Sequence, residues 1–375
     1  MNNKNNPNFD FYSFGDDKTP PSQQPPIDRE PEDFSCYQEF SPMLDAAALY
    51  RTASHHYSRL GFALAVAILL WFVLSAVVLA IGQMISPALG ASLMFTNLAG
   101  TLPLYFACTP LLYLMISSVP SARPEPKKLS ISHFLVLFLM AQGLMWAGNF
   151  VGEGLMGIMG RLTGVDFYNQ LNETVGLPIW FVAILTGVLA PLFEEIIFRK
   201  LLLDRMIPYG ETAAILVNGL LFGLFHGNFY QFFYAASLGM LLSFVYVMTG
   251  KWWHTVLLHI GVNFMGGILP TILLQRLDYE RYLALDLTNL EEMEAFMAEY
   301  GPEMSALSLF SMAQIAMALA GIFLLIVKFK SFKVQLKSSR LPLGTTMKAA
   351  LLNPGSLCAI GICSLLIVAN LLSYF

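Results

Sequence analysis

The sequence predicts an all-α, polytopic transmembrane helix bundle of eight or nine spans, and three observations carry that prediction. Of 375 residues, 56% are hydrophobic and only 12% are charged, whereas a soluble domain carries roughly 25% charged residues. The charges are also bunched. Residues 1–59 hold 14 of them, residues 276–303 hold 10 and residues 328–348 hold 6, which leaves 16 for the rest of the chain. Between these clusters lie uncharged runs long enough to cross a bilayer, which takes about 20 apolar residues in helical form. The same numbers exclude a disordered chain, a disulfide scaffold and a soluble enzyme. The net charge of −4 argues against nucleic acid as a partner.

Taken in order, residues 1–35 are rich in Asn, Pro, Asp and Ser and are expected to form a disordered tail. Residues 38–58 mix apolar and polar positions and suit either an interfacial helix or a solvated leader. The first apolar run begins near Leu60, too late for a signal peptide, so it is expected to remain as an anchor. Residues 59–375 are then one transmembrane helical domain. No charge occurs from 60 to 122, a run that holds two spans at about 60–82 and 94–118, joined by the stretch ISPALGAS. Further uncharged runs follow at 129–152, 174–193, 212–250, 252–275, 304–327 and 349–375. The 212–250 run is long enough for two spans with a tight turn near Gly227 and Asn228. Four cysteines form no CxxC pair and read as small apolar-segment residues rather than a disulfide or zinc framework.

Orientation follows from the basic loops. Arg123, Lys127 and Lys128 occupy one loop, Arg199, Lys200 and Arg205 follow the fourth span, and Lys251 precedes the seventh. The 328–348 loop has six basic residues and no acidic one, whereas 276–303 has eight acidic residues against Arg276 and Arg281. This alternation suits a multi-pass cell-membrane protein with a cytoplasmic N-terminus and the acidic loop outside.

Ionisable groups inside a span cost about 2.5–3.5 kcal/mol each on insertion scales, so three clusters need a reason. In the run from Pro191 to Arg199, Glu195 and Arg199 share a helical face and can pair, while Glu194 points about 100° away. A snorkelling helix end explains these charges equally well. His226 closes the segment FGLFH within an uncharged stretch, where a hydrogen-bonded packing histidine is the plainer explanation. His259 and Asn263 are four apart and face one point, although membrane helices use such pairs for interhelical hydrogen bonds. His254, beside Trp252 and Trp253, is expected in an aromatic interfacial belt. If the chain turns at Tyr209-Gly210, Glu194 and His226 both lie about 20–24 Å from that turn. The clusters can therefore converge.

EExxxR, FxxxH and HxxxN, in this order on three apolar helices, resemble the CPBP intramembrane proteases. These are the type II CAAX prenyl proteases (Rce1-like) and the bacteriocin-processing and immunity proteins related to them. The resemblance covers about residues 178–270, and every signature position is filled: Glu194, Glu195, Arg199, Phe222, His226, His259 and Asn263. The acidic loop and the tail lie outside the pattern. The resemblance implies an intramembrane endopeptidase that acts near the C-terminus or leader of a membrane-embedded or lipidated substrate. Peptide hydrolysis needs an activated water and donors for the oxyanion. Glu194 and His226 would hold and deprotonate the water, His259 and Asn263 would stabilise the oxyanion, and Glu195 and Arg199 would brace the site. Glu194, His226 and His259 could instead hold a zinc ion with an open fourth position. Because HExxH is absent and Asn263 is a poor zinc ligand, the metal-free reading is preferred and the cofactor is left open. Two alternatives of other classes are a non-proteolytic immunity-type membrane protein and a proton-coupled transporter. The latter should show inverted repeats, and none is visible.

Overall fold

A computed structural model describes residues 46–168, 170–286, 288–336 and 339–375 of the chain. Helices account for nearly all of them, and no strand occurs among the described residues. We label the principal helices α1 (Ala46–Ile85), α2 (Leu93–Ile116), α3 (Ile131–Thr163), α4 (Ile179–Tyr209), α5 (Glu211–Phe225), α6 (Phe229–Thr249), α7 (Trp252–Leu274), α8 (Leu290–Gln335), α9 (Leu343–Leu351) and α10 (Pro354–Leu372). Eight of these are long and apolar enough to cross a membrane. α5, with 15 residues, is about 22 Å long at 1.5 Å per residue, short of a full hydrocarbon core. The long uncharged run at 212–250 thus becomes one short and one long helix. The turn between them falls at Gly227, with φ of 62°, and Asn228, whose side chain caps α6 by accepting from the Tyr230 amide.

Residues 1–45, and with them the tail and the first part of the 38–58 segment, lie outside the described residues. Residues 46–58 are the first turns of α1 and run without a break into the first span.

Proline placement shapes three of the spans. Pro110, Pro191 and Pro270 each follow a widened, π-type turn, at Leu104–Cys108, Leu185–Leu189 and Leu269's preceding turn Phe264–Ile268. Proline has no amide hydrogen and its ring crowds the carbonyl four residues back. That carbonyl belongs to Phe106, Gly187 or Gly266, the middle residue of each widened turn. The wider turn therefore relieves the clash at the position where the proline creates it. Two of these turns flank the polar clusters read from the sequence.

α6 is the central helix: 72% of its apolar window is buried, against 17% for α8. Close helix contacts use small residues, as membrane bundles do. A Cβ on Gly321 of α8 would lie 1.9 Å from the Leu139 carbonyl of α3, and one on Gly355 of α10 would lie 1.8 Å from the Ser58 carbonyl of α1. The outward faces carry exposed large apolar side chains such as Phe150, Leu319 and Phe323, as a lipid-facing surface requires.

The basic loops gather on one face. Arg123 lies 3.9 Å from Asp204, the Lys127 amide donates to the Thr249 carbonyl at 2.7 Å, and Ser339 Oγ donates to the Tyr209 carbonyl at 2.9 Å. Tyr57, near the start of α1, reaches the Met206 carbonyl on the same face. The opposite face joins the loop before α4 to the acidic segment: Gln275 Nε2 donates to the carbonyls of Val175 and Leu177 at 2.9 and 2.6 Å. The C-terminus is on that face too, where Tyr374 donates to the Tyr168 carbonyl. His254 departs from the expected interfacial belt. Trp253 is 47% exposed, but His254 is buried against it, with ring centroids 3.9 Å apart.

Candidate active site

α4, α5 and α7 bring the three polar clusters together midway through the bundle. Glu195 and Arg199 are fully buried and form an ion pair, with Arg199 Nε 2.9 Å from Glu195 Oε2 and a hydrogen bond of 3.3 Å donated by Arg199 Nη2 to Oε1. The i, i+4 spacing places them on one helix face. The His259 Nδ1–H donates to Glu195 Oε1 at 3.0 Å, a contact between residues 64 apart in sequence. Glu195 is thereby consumed on both oxygens. A buried charge pair is tolerable only when its remaining donors and acceptors are also satisfied. Here Asn218 takes up Arg199 Nη1, while Arg199 Nε and Glu195 Oε2 face each other as an ion pair without hydrogen-bond geometry.

Asn218 and Ser243 are buried residues that the sequence analysis did not single out. Arg199 Nη1 donates to Asn218 Oδ1 at 2.7 Å, Ser243 Oγ donates to the same oxygen at 3.0 Å, and Asn218 Nδ2 donates to the Phe198 carbonyl at 2.9 Å. One amide thus joins α4, α5 and α6. A signal for it did exist. Asn218 is a lone polar residue in a long apolar run, two turns before His226 on the same helix. Nothing comparable marks Ser243.

Glu194 has a different environment from its neighbour. Its side chain keeps 16% exposure and its Oε2 lies 3.8 Å from His259 Nε2, too far for a hydrogen bond. Tyr105 of α2 stacks on Phe193 with centroids 4.3 Å apart. Both Tyr105 and Tyr234 lie close enough to interact electrostatically with Glu194.

His226 ends α5. Its Nδ1–H donates to the Phe222 carbonyl at 2.7 Å, which fixes the ring and leaves Nε2 as the nitrogen available for other work. No hydrogen bond connects His226 to Glu194 among the described residues. What the two clusters share is Phe222. Its ring meets His226 edge-on at 4.9 Å and His259 at 5.8 Å, and the Arg199 guanidinium lies 5.2 Å from its centroid. The aromatic position of FxxxH is thus the spacer around which two histidines and the arginine are arranged. Asn263 Nδ2 donates to the Thr186 carbonyl at 2.9 Å. Thr186 lies in the widened turn before Pro191, so the proline-induced turn supplies the acceptor that orients Asn263. This partner is a backbone group and left no mark in the sequence.

Among the described residues no three His, Cys, Asp or Glu side chains are arranged to hold a metal ion. Glu194, His226 and His259 are not gathered into the three-ligand set considered from sequence, although His226 and His259 each keep Nε2 free of the acceptors that hold Nδ1.

Fold and site together define a polytopic helical membrane protein with a buried Glu-Arg-His-Asn network and a second, partly accessible glutamate beside it. Residues 176–265, about a quarter of the chain and the segment that holds all six candidate residues, match the family model described as type II CAAX prenyl endopeptidase Rce1-like. The match supports a CAAX-type intramembrane peptidase in general. The chain is 23% identical over 167 residues to the protein named "Putative membrane peptidase YdiL" of Bacillus subtilis (strain 168), covering 42% of this chain and 66% of that one. It is 29% identical over 155 residues to the UPF0177 protein YbdI of Lactococcus lactis subsp. lactis (strain IL1403), covering 38% of this chain and 84% of that one. No solved structure matches the chain.

Proposed function

We propose that this protein is an intramembrane endopeptidase in which Glu194 activates a water molecule. The observation that carries the reading is the contrast between two adjacent glutamates. Glu195 is fully buried and engaged by Arg199 and His259, while Glu194 retains exposure and has no direct hydrogen bond among the described residues. A general base must reach the proton it takes, and Glu194 is the carboxylate with room to do so.

In this mechanism Glu194 removes a proton from water as the oxygen attacks the scissile carbonyl carbon. His226, through Nε2, holds the same water. The carbonyl oxygen becomes an oxyanion, which accepts hydrogen bonds from the second Asn263 amide hydrogen and from His259 Nε2–H, present when the ring is doubly protonated against Glu195. The carbon–nitrogen bond then breaks, and the leaving amine takes the proton held by Glu194. Arg199 neutralises Glu195 and keeps His259 in place, so both are positioning residues.

The proposed substrate is a membrane-embedded or lipidated peptide or protein, and the proposed location is the cell membrane. The positive-inside rule would place the basic face and the N-terminus in the cytoplasm. Comparing the membrane and secreted proteomes of cells with and without the protein yields a substrate peptide for the test. Wild type, Glu194→Gln and His226→Ala are then assayed on that peptide in detergent. General-base loss predicts a fall of about 10²–10⁴-fold for Glu194→Gln and a clear loss for His226→Ala. Equal cleavage by all three would refute the mechanism.

A further inference from the structure

α2 contributes no residue to the polar clusters read from the sequence, yet it is tied to the neighbours of both Glu194 and His226. In its widened turn Leu104–Cys108, Leu104, Tyr105 and Cys108 are buried. The Tyr105 ring lies flat on Phe193, the residue before Glu194, with centroids 4.3 Å apart and planes 5° from parallel. On the other side, Trp71 of α1 donates from Nε1 to the Gly100 carbonyl of α2 and stacks on Phe225, the residue before His226, at 5.6 Å. Tyr105 is 3% exposed. Its hydroxyl has no hydrogen-bond partner among the described residues and keeps accessible surface. A ring needed only for stacking would be served by phenylalanine, which brings no hydroxyl to desolvate. The hydroxyl interacts electrostatically with Glu194 without a hydrogen bond to it, the relation of two groups that share a water.

Donor and acceptor counting at the hydrolytic water shows what such a hydroxyl can do. A buried water makes about three hydrogen bonds. Glu194 is a carboxylate acceptor, and His226 is an acceptor at Nε2 because its Nδ1–H donates to Phe222. Both hydrogens of the water are then taken. Of the two lone pairs on its oxygen, one attacks the scissile carbon and the other is left for a donor. Arg199 is turned to Glu195 and Asn218, and the free donors of His259 and Asn263 serve the oxyanion. Tyr105 and Tyr234 carry the hydroxyls that reach Glu194 electrostatically. Tyr234 also interacts with Glu153 and lines a separate cavity against α3, α7 and α8, whereas Tyr105 is packed directly beside Glu194 through Phe193.

We propose that the Tyr105 hydroxyl donates a hydrogen bond to the hydrolytic water, orienting the lone pair that attacks and stabilising the hydroxide that forms as Glu194 takes the proton. The hydroxyl keeps its own proton throughout. The proposal rests on the peptidase reading and adds to it a catalytic residue from α2, outside the 176–265 segment that matches the family model.

The test uses the full chain in detergent and the same substrate peptide as the Glu194→Gln comparison. The constants kcat and KM and the thermal unfolding temperature are measured for wild type, Tyr105→Phe, Tyr105→Leu and Tyr234→Phe. Tyr105→Phe keeps the ring on Phe193 and removes only the donor. Its kcat is expected to fall about 10–100-fold, the worth of one hydrogen bond to a charged group, with KM unchanged because the hydroxyl touches the water and not the peptide. Its unfolding temperature should equal that of the wild type, since the hydroxyl has no protein partner to lose. Tyr105→Leu, which removes the stack as well, should lower both kcat and the unfolding temperature. Full cleavage by Tyr105→Phe that still depends on Glu194 would overturn the assignment and leave the peptidase reading standing. A fall in kcat accompanied by a lower unfolding temperature in Tyr105→Phe, a change confined to KM, or a greater loss from Tyr234→Phe would also overturn it. No cleavage by the wild type would refute the peptidase reading, and this assignment with it.

Discussion

Replacing Arg199 with methionine tests the bracing of the site most directly. The side chain is wholly buried and serves four partners: both oxygens of Glu195, Asn218 and the face of Phe222. Methionine keeps most of the volume but leaves the Glu195 carboxylate without its cationic partner and strips Asn218 Oδ1 of its charged donor. Removing one partner of a buried ion pair costs about 3–5 kcal/mol, because the other charge stays buried without compensation. Removing both partners, in Glu195→Gln/Arg199→Met, should cost far less than the sum of the single changes, since neither charge then remains. The assay is reversible unfolding in detergent, run as a double-mutant cycle. Coupling well above the roughly 0.3–0.5 kcal/mol additivity error is expected. A cost below about 1 kcal/mol for Arg199→Met, or additive single changes, would refute the claim that this pair is buried and closed. Arg199→Lys should recover only part of the loss, because an ammonium cannot serve Glu195 and Asn218 with a planar fork.

Two further predictions concern the scaffold. Asn218→Ala should lower stability by about 1–3 kcal/mol by leaving the buried Arg199 and Phe198 groups short of partners, measured by thermal unfolding; an unchanged transition would mean that the three-helix junction does not depend on this amide. Gly321→Ala should push α8 off α3, because the new Cβ would meet the Leu139 backbone at 1.9 Å. Overpacking of this kind costs about 1–3 kcal/mol, whereas Gly344→Ala, at an open position, should be neutral in the same unfolding measurement.

Much of the local arrangement was legible in the chain. Glu195 and Arg199 pair because four residues bring them back to one helix face, and the loop at Gly227-Asn228 forms where a long apolar run meets residues suited to a turn. Glu194 and His226 could be placed at matching depths by counting residues along helices. Other features were hidden. Asn218 was visible only as an isolated polar residue, since its three partners come from two other helices. The Asn263 acceptor is the Thr186 backbone, and a backbone carbonyl is the same at every position. His254 was misplaced because a histidine beside two tryptophans reads as interfacial, yet packing buries it while Trp253 takes the exposed position.

The sequence alone determined the class of protein, most of the spans and the pairing that lies within one helix. All three follow from hydrophobicity and helical periodicity, which act over neighbouring residues. Tertiary structure alone decided which of the two adjacent glutamates is closed off and which stays accessible. That choice depends on His259, 64 residues away, and on how α5 and α7 pack against α4. Contacts across such distances are set by how the helices pack together, and no local pattern in the chain records them.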